Sequence, residues 1–139
     1  MIQLAQETDE TRLRRLGIRP TAQRLAVYRL LRDRADSHVT PQEAFDLVRA
    51  QGLRLTLGTI YNVLNEFARA GVVSRIDMGE RTCFCSNRAP HHHFLDEGSK
   101  RLFDITGEQP VVNRLPAIPE GMELTGVEVI VRIRPRRAP

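Results

Sequence analysis

Apolar side chains recur at helical spacing in four stretches of the N-terminal half, each bounded by its own start and stop signals. Leu13 and Leu16, three residues apart among arginines, predict a first helix over Thr8–Leu16 that Gly17 stops. Ile18-Arg19-Pro20 must then run extended, because the residue before a proline is steered out of the α region. Thr21 caps a second helix reaching Asp33, with Leu25, Val27, Leu30 and Leu31 among its apolar positions. A loop, Asp36-Ser37-His38-Val39, leads to Thr40-Pro41-Gln42-Glu43, which combines an N-cap threonine, proline at the first helical position and glutamate three residues after the cap. That third helix buries Ala44, Leu47 and Val48 and ends at Gln51-Gly52. Thr56 opens the fourth, Leu57 to Ala70, whose Ile60, Val63, Leu64 and Phe67 form one buried stripe. Its opposite face is short and polar: Gly58, Thr59, Asn62, Asn65, Glu66 and Arg69, with Tyr61 at the edge.

The pattern then changes to short strands. Val72–Ile76 and Arg81–Cys85 predict a hairpin around Asp77-Met78-Gly79-Glu80. Helices followed by a helix with a polar face and then a hairpin is the order of a winged helix-turn-helix, with the fourth helix suited to a major groove. Further strands are expected at His92–Leu95, Arg101–Ile105 and Val127–Arg134, the last alternating apolar and polar except at Ile130. Pro110, Pro116, Pro119 and several glycines forbid a long helix between them. So few strands cannot close a core alone, which predicts pairing with a second chain, a homodimer. The expected fold class is therefore α+β, an N-terminal winged helix-turn-helix followed by a small α/β dimerisation domain. The expected boundaries are 1–86 for DNA binding, 87–90 for a hinge, and 91–139 for dimerisation and sensing. The tail Arg134–Pro139 is expected to fray.

Composition narrows the function. The chain has 139 residues and a net charge of +4. Residues 1–75 carry 12 arginines against 8 carboxylates, whereas residues 76–139 balance 9 against 9. Between Arg12 and Arg34 eight arginines face Asp33 alone, and arginine pairs bidentately with phosphate and guanine. A front-loaded basic patch points to nucleic acid, the alternative being an ordinary solvated surface. No apolar run approaches the roughly 18 residues of a membrane span, and the first residues lack the pattern of a signal peptide, so a cytoplasmic protein without membrane partners is expected. Cys83 and Cys85 are too close for an ordinary structural disulfide and do not form a Cys-x2-Cys metal motif.

Three of the four histidines, His91, His92 and His93, stand together where helices give way to strands. Imidazole binds metals and titrates near neutral pH, so the triplet is either a switch or a polar patch. On a strand His91 and His93 share a face and His92 points to the other, so the three do not easily close on one ion.

Gly17-Ile18-Arg19-Pro20-Thr21-Ala22-Gln23-Arg24-Leu25 resembles the opening motif of the ferric uptake regulator family. Thr59–Phe67, followed by Ala70-Gly71-Val72-Val73, is similar to that family's recognition helix and first wing strand. His91-His92-His93-Phe94, Leu102-Phe103-Asp104-Ile105 and Pro119-Glu120-Gly121-Met122-Glu123 look most like its iron response regulator branch in α-proteobacteria. The resemblance covers residues 10–105 and implies a dimeric transcription regulator, mainly a repressor, of iron and haem homeostasis genes. It implies DNA contacts from Arg19, Thr56, Thr59, Tyr61, Asn62 and Asn65 to a roughly palindromic double-stranded operator. It also implies a sensing site at His38, His91, His93 and Asp104, with Cys85 where the family has a carboxylate. A thiolate there favours zinc or another thiophilic metal over iron(II) or manganese. The family's Cys-x2-Cys zinc site falls on Asp96 and Ser99, so that structural zinc is expected to be absent. By likeness to the iron response regulators, His91, His92 and His93 are a haem or second site.

From the residues alone, other roles stay open. His38 reads as a capping or loop histidine, Cys83 and Cys85 as buried wing residues, and Asp104 as a partner of Arg101 or of water. A peroxide-, zinc- or manganese-responsive regulator of the same family is the alternative function. A small zinc hydrolase is remote, because no His-Glu-x-x-His motif is present and the front half leaves little chain for a pocket.

Overall fold

A computed structural model describes residues 6–34, 36–87, 89 and 91–137. The chain divides into two units, Met1–Arg88 and Ala89–Pro139.

In the first unit the four helices are α1 (Asp9–Arg15), α2 (Ala22–Asp33), α3 (Pro41–Ala50) and α4 (Leu57–Arg69). One device starts them all. Thr8, Thr21, Thr40 and Thr56 sit at extended backbone angles, and each hydroxyl accepts the N–H three residues on at 3.1–3.2 Å. A cap of this kind is worth about 1 kcal/mol. Gly17 and Gly71 terminate α1 and α4 at φ of +81° and +80°, which turns the next N–H back onto Leu13 and Phe67 carbonyls at 2.8 Å.

The apolar stripe of α4 is buried as the periodicity predicts: Ile60, Leu64 and Phe67 are fully enclosed and Val63 nearly so. It packs with Leu13, Val27, Tyr28, Val39, Ala44, Val48 and Phe84 into one core. Tyr28 meets Phe67 edge-on, ring centres 6.4 Å apart.

A three-stranded antiparallel sheet closes this unit in the order β1 (His38–Val39), β3 (Thr82–Cys85), β2 (Ser74–Asp77). The wing hairpin β2–β3 lies close to its expected place, starting two residues later. His38 and Val39 are not a loop: they pair with Cys85 and Phe84 of β3. That bridge joins residues far apart in sequence, so local pattern does not reveal it.

The second unit is a sheet of order β5-β4-β6, with β4 at His93–Asp96, β5 at Arg101–Asp104 and β6 at Ile130–Ile133. β5 runs antiparallel to β4 with His93 opposite Asp104, and β6 runs parallel to it with Ile130 beside His93. At the β4–β5 turn the Asp96 carboxylate accepts the Gly98 N–H and the Ser99 hydroxyl at 2.9 and 2.8 Å. Asp96 and Ser99, where the family's zinc cysteines were expected to fall, are thus joined as a hydrogen-bonded turn.

The last strand is shorter than the Val127–Arg134 expected from alternation, because Val127 and Val129 precede the paired segment. Nor does the alternating set find a covered face within the chain, since Val127 and Ile133 remain exposed. Of the frayed tail that was expected, Ala138 and Pro139 lie outside the described residues. Among the described residues no helix is long and apolar enough to cross a membrane.

Candidate DNA-reading helix and metal-donor sets

Burying its apolar stripe turns the polar side of α4 outward. Tyr61 and Asn62 are exposed, Tyr61 at 41%, with Thr59 and Asn65 half-buried beside them. Short polar side chains on such a face can approach base edges and phosphates closely. Three expected contacts carry local duties as well. The hydroxyls of Thr56 and Thr59 lie 2.9 Å apart at the helix start. Asn65 Oδ1 accepts from Arg75 Nη1 at 2.7 Å, tying α4 to the first wing strand. Arg19 is exposed in the extended link between α1 and α2, and its carbonyl accepts from Arg24, whose guanidinium also pairs with Glu66 of α4 at 2.8 Å. The link bearing Arg19 is therefore anchored, through Arg24, to the helix bearing Tyr61.

The metal-donor candidates fall into two sets, one in each unit. In the first unit β1 and β3 bring His38 and Cys85 opposite one another. Asp36 Oδ1 accepts the His38 backbone N–H at 3.0 Å and stands 3.2 Å from its Nδ1. An oxygen acceptor at Nδ1 keeps the proton on that nitrogen, so Nε2 carries the lone pair. Cys85 is fully buried, with Sγ 3.8 Å from Ser37 Oγ. Its neighbour Cys83 is also buried, and burial above all, with Glu43 next, pushes that thiol up to about 12. Cys83 is therefore a protonated core residue at neutral pH.

In the second unit the His93–Asp104 pairing of β4 and β5 sets the geometry. His91 Nδ1 contacts the Ala89 carbonyl, and its Nε2 lies 2.8 Å from Asp104 Oδ1. His93 Nε2 lies 3.2 Å from the same oxygen, its Nδ1 lies 3.3 Å from Glu128 Oε1, and the two imidazoles are 4.5 Å apart. Ligands about 2.0–2.2 Å from one ion stand roughly 3–3.5 Å from each other, and each histidine stands near that distance from the shared Asp104 oxygen. Asp104 therefore faces both histidines through one carboxylate oxygen.

His92 departs from the triplet. Its Nδ1 accepts the Val129 N–H at 3.0 Å, while its backbone N–H donates to Gln109 Oε1 at 2.8 Å. With Nδ1 accepting, a neutral ring carries its proton on Nε2 and offers a metal no lone pair. The three adjacent histidines thus do not converge on one group: His91 and His93 are donors, and His92 clasps the start of β6. Sequence reasoning missed the oxygen acceptors behind the donors. Asp36, two residues before His38, was detectable as an Asx arrangement. Glu128 was not, because 24 residues separate Asp104 from it and no periodic signal folds them back.

The ferric uptake regulator family model matches residues 15–132. The chain is 28% identical over 96 residues to the ferric uptake regulation protein of Haemophilus influenzae, covering 68% of this chain and 66% of that one. It is 31% identical over 88 residues to that of Shigella flexneri, covering 63% and 60%. The matches thus span less than two thirds of those relatives' lengths. Among solved structures it resembles the ferric uptake regulator of Pseudomonas aeruginosa with manganese, at TM-score 0.69 and 18% identity over 94% of this chain and all of that one. It also resembles the regulator of Francisella tularensis with iron, at TM-score 0.66 and 19% identity over 86% and 93%. These structural likenesses establish a shared fold. The matched span, 15–132, takes in both units, and the chain belongs to the ferric uptake regulator family.

Proposed function

We propose that this chain is a metal-responsive, DNA-binding transcription regulator, mainly a repressor, that acts in the cytoplasm as a homodimer on a roughly palindromic operator. The observation that carries the reading is the meeting of His91, His93 and Asp104 at ligand spacing, in a chain whose other unit is a winged helix. Tyr61, Asn62, Thr59, Asn65 and Thr56 read the major groove from α4, and Arg19 reaches the minor groove or the phosphate backbone. Two-fold symmetry in the protein accounts for symmetry in the operator. Residues 1–86 serve DNA binding, 91–139 dimerisation and sensing, and 87–90 the hinge.

His38, Cys85, His91, His93 and Asp104 are the residues that would hold a divalent cation, five donors of metal-binding type. Such a cation would supply fixed positive charge at its donors. Three imidazoles and a carboxylate admit iron(II) or zinc, while the thiol favours zinc or another thiophilic metal over iron(II) or manganese. Iron homeostasis genes are the proposed targets, in keeping with the residues shared with the iron response regulator branch. The structures with iron and manganese described above, and a zinc-bound manganese uptake regulator at TM-score 0.61 and 20% identity, were solved with different metals, so the ion must be measured.

The test is an operator gel shift with metal-free protein and with Zn(II), Mn(II), haem and, without oxygen, Fe(II). One divalent cation is expected to change operator affinity at least about tenfold, with haem giving no effect that depends on His92. Tyr61→Ala is expected to abolish preference for the operator over random DNA while the protein stays dimeric. Identical affinity under every condition rejects metal control, and unchanged operator preference in Tyr61→Ala rejects the reading of α4.

A further inference from the structure

Glu128 precedes β6 and belongs to no expected site, yet its Oε1 lies 3.3 Å from His93 Nδ1. The backbone next to it, at Val129, is fixed by two consecutive histidines. His93 N–H donates to the Val129 carbonyl at 3.2 Å, and the Val129 N–H donates to His92 Nδ1 at 3.0 Å. Parallel pairing of Ile130 with His93 then sets the register of β6 on β4. The carboxylate is thus delivered to the far side of the His93 ring from Asp104, whose Oδ1 lies 3.2 Å from Nε2. His93 is 1% exposed, so these two carboxylates, and not bulk water, face its ring nitrogens.

We propose that Glu128 is the positioning residue of the second unit's metal-donor set. It holds the proton on His93 Nδ1, so that Nε2 presents its lone pair beside Asp104 and the His91 Nε2. This rests on the reading of His91, His93 and Asp104 as metal ligands, and deepens it. The three candidate histidines then share one arrangement: Nδ1 against an oxygen of Asp36, Ala89 or Glu128, and Nε2 as the donor. A carboxylate behind a ligating imidazole fixes the tautomer and raises the basicity of the ligand, and its loss commonly weakens metal binding 10–100-fold. Glu128 differs from the other two acceptors because it arrives on the segment that leads into the last strand. Correct docking of β6 is thereby built into the affinity of the site.

The full-length protein tests this with Zn(II) as probe. Competition titration against a chromogenic chelator is expected to show Zn(II) affinity lowered about 10–100-fold in Glu128→Ala. Glu128→Gln, whose amide oxygen still accepts from Nδ1–H, is expected to retain most of the affinity. Long-range 1H–15N spectra of the Zn(II)-loaded wild type should show His93 bonded through Nε2 with its proton on Nδ1, and a loss of that single pattern in Glu128→Ala. A merely structural role for Glu128 would leave that signature unchanged. Equal affinity in wild type and Glu128→Ala, or an unaltered His93 spectrum, overturns the proposal while leaving the metal reading intact. Wild type that binds no Zn(II), Fe(II) or Mn(II) overturns that reading instead.

Discussion

Replacing His92 by phenylalanine separates the two roles a histidine triplet can play. The change keeps a ring of similar size and removes Nδ1, the acceptor of the Val129 N–H. Losing one such bond costs about 0.5–1.5 kcal/mol net, and a half-buried amide left without its acceptor adds to this, so a local cost of about 1–2 kcal/mol is expected. That corresponds to roughly 5–30-fold faster exchange of the Val129 amide. No donor to the ion is removed, so Zn(II) affinity should fall by less than about tenfold, reflecting only the loosened strand that carries Glu128. His93→Phe, which deletes a donor, should lose more than about 100-fold, above the usual effect of a supporting residue. Hydrogen exchange read by NMR and the chelator competition give both numbers from one set of samples. The reasoning fails if His92→Phe costs as much Zn(II) affinity as His93→Phe while Val129 exchange stays as in wild type. That outcome would make His92 a ligand.

Phe67→Ala empties the fully buried end of the α4 stripe and removes the edge contact with Tyr28, so urea unfolding followed by far-UV circular dichroism should show a loss of about 3–5 kcal/mol; a loss under about 1.5 kcal/mol would show that α4 does not hold this core. The Asp9 carboxyl is held below its ordinary range first by its hydrogen bond from Arg29, against desolvation, which raises it, with Arg32 adding a smaller lowering effect. A carboxylate whose folded pKa is depressed stabilises the fold above its unfolded value of 3.8, and that contribution is lost as pH falls from there through the folded pKa. Asp9→Asn should therefore flatten the decline of the melting temperature below about pH 4, and a profile identical to wild type would show that these exposed pairs contribute nothing.

The sequence disclosed most where the signals were local. Thr21, Thr40 and Thr56 cap the helices they were expected to cap, because a cap needs only a hydroxyl and an N–H three residues away. Ile60, Val63, Leu64 and Phe67 are buried together because helical spacing puts them on one side whatever they pack against. The separation of His92 from His91 and His93 was expected from strand alternation, yet only His93 of the three lies in β4, and His92 is set apart by its bonds to Val129 and Gln109. Pairing across long separations escaped. The bridge of His38 to Cys85 spans most of the first unit, and a two-residue strand between Ser37 and a helix cap has no pattern to read. Alternation overestimated β6, since Val127 has the composition of a strand but pairs with nothing in the ladder. Glu128 was invisible as a site residue because its role depends on where an irregular segment brings it. Arg75 holding Asn65 shows the same limit on the other unit: the helix face was legible, but not which of its members the wing would engage.

The second unit buries few apolar side chains of its own. Among its described residues Leu102 and Ile105 are the buried apolar ones, while Val111 and Met122 stand 85% and 69% exposed and Leu115, Ile118 and Leu124 are exposed with them. Ordering about fifty residues against chain entropy needs more burial than that, and a second copy is the occupant proposed above. Folding of this unit is then governed by mass action. Its melting temperature should rise with protein concentration, and scarce, newly made chains should be the ones open to proteases. For the proposed homodimer this sets a floor on abundance, below which the second unit stays unfolded.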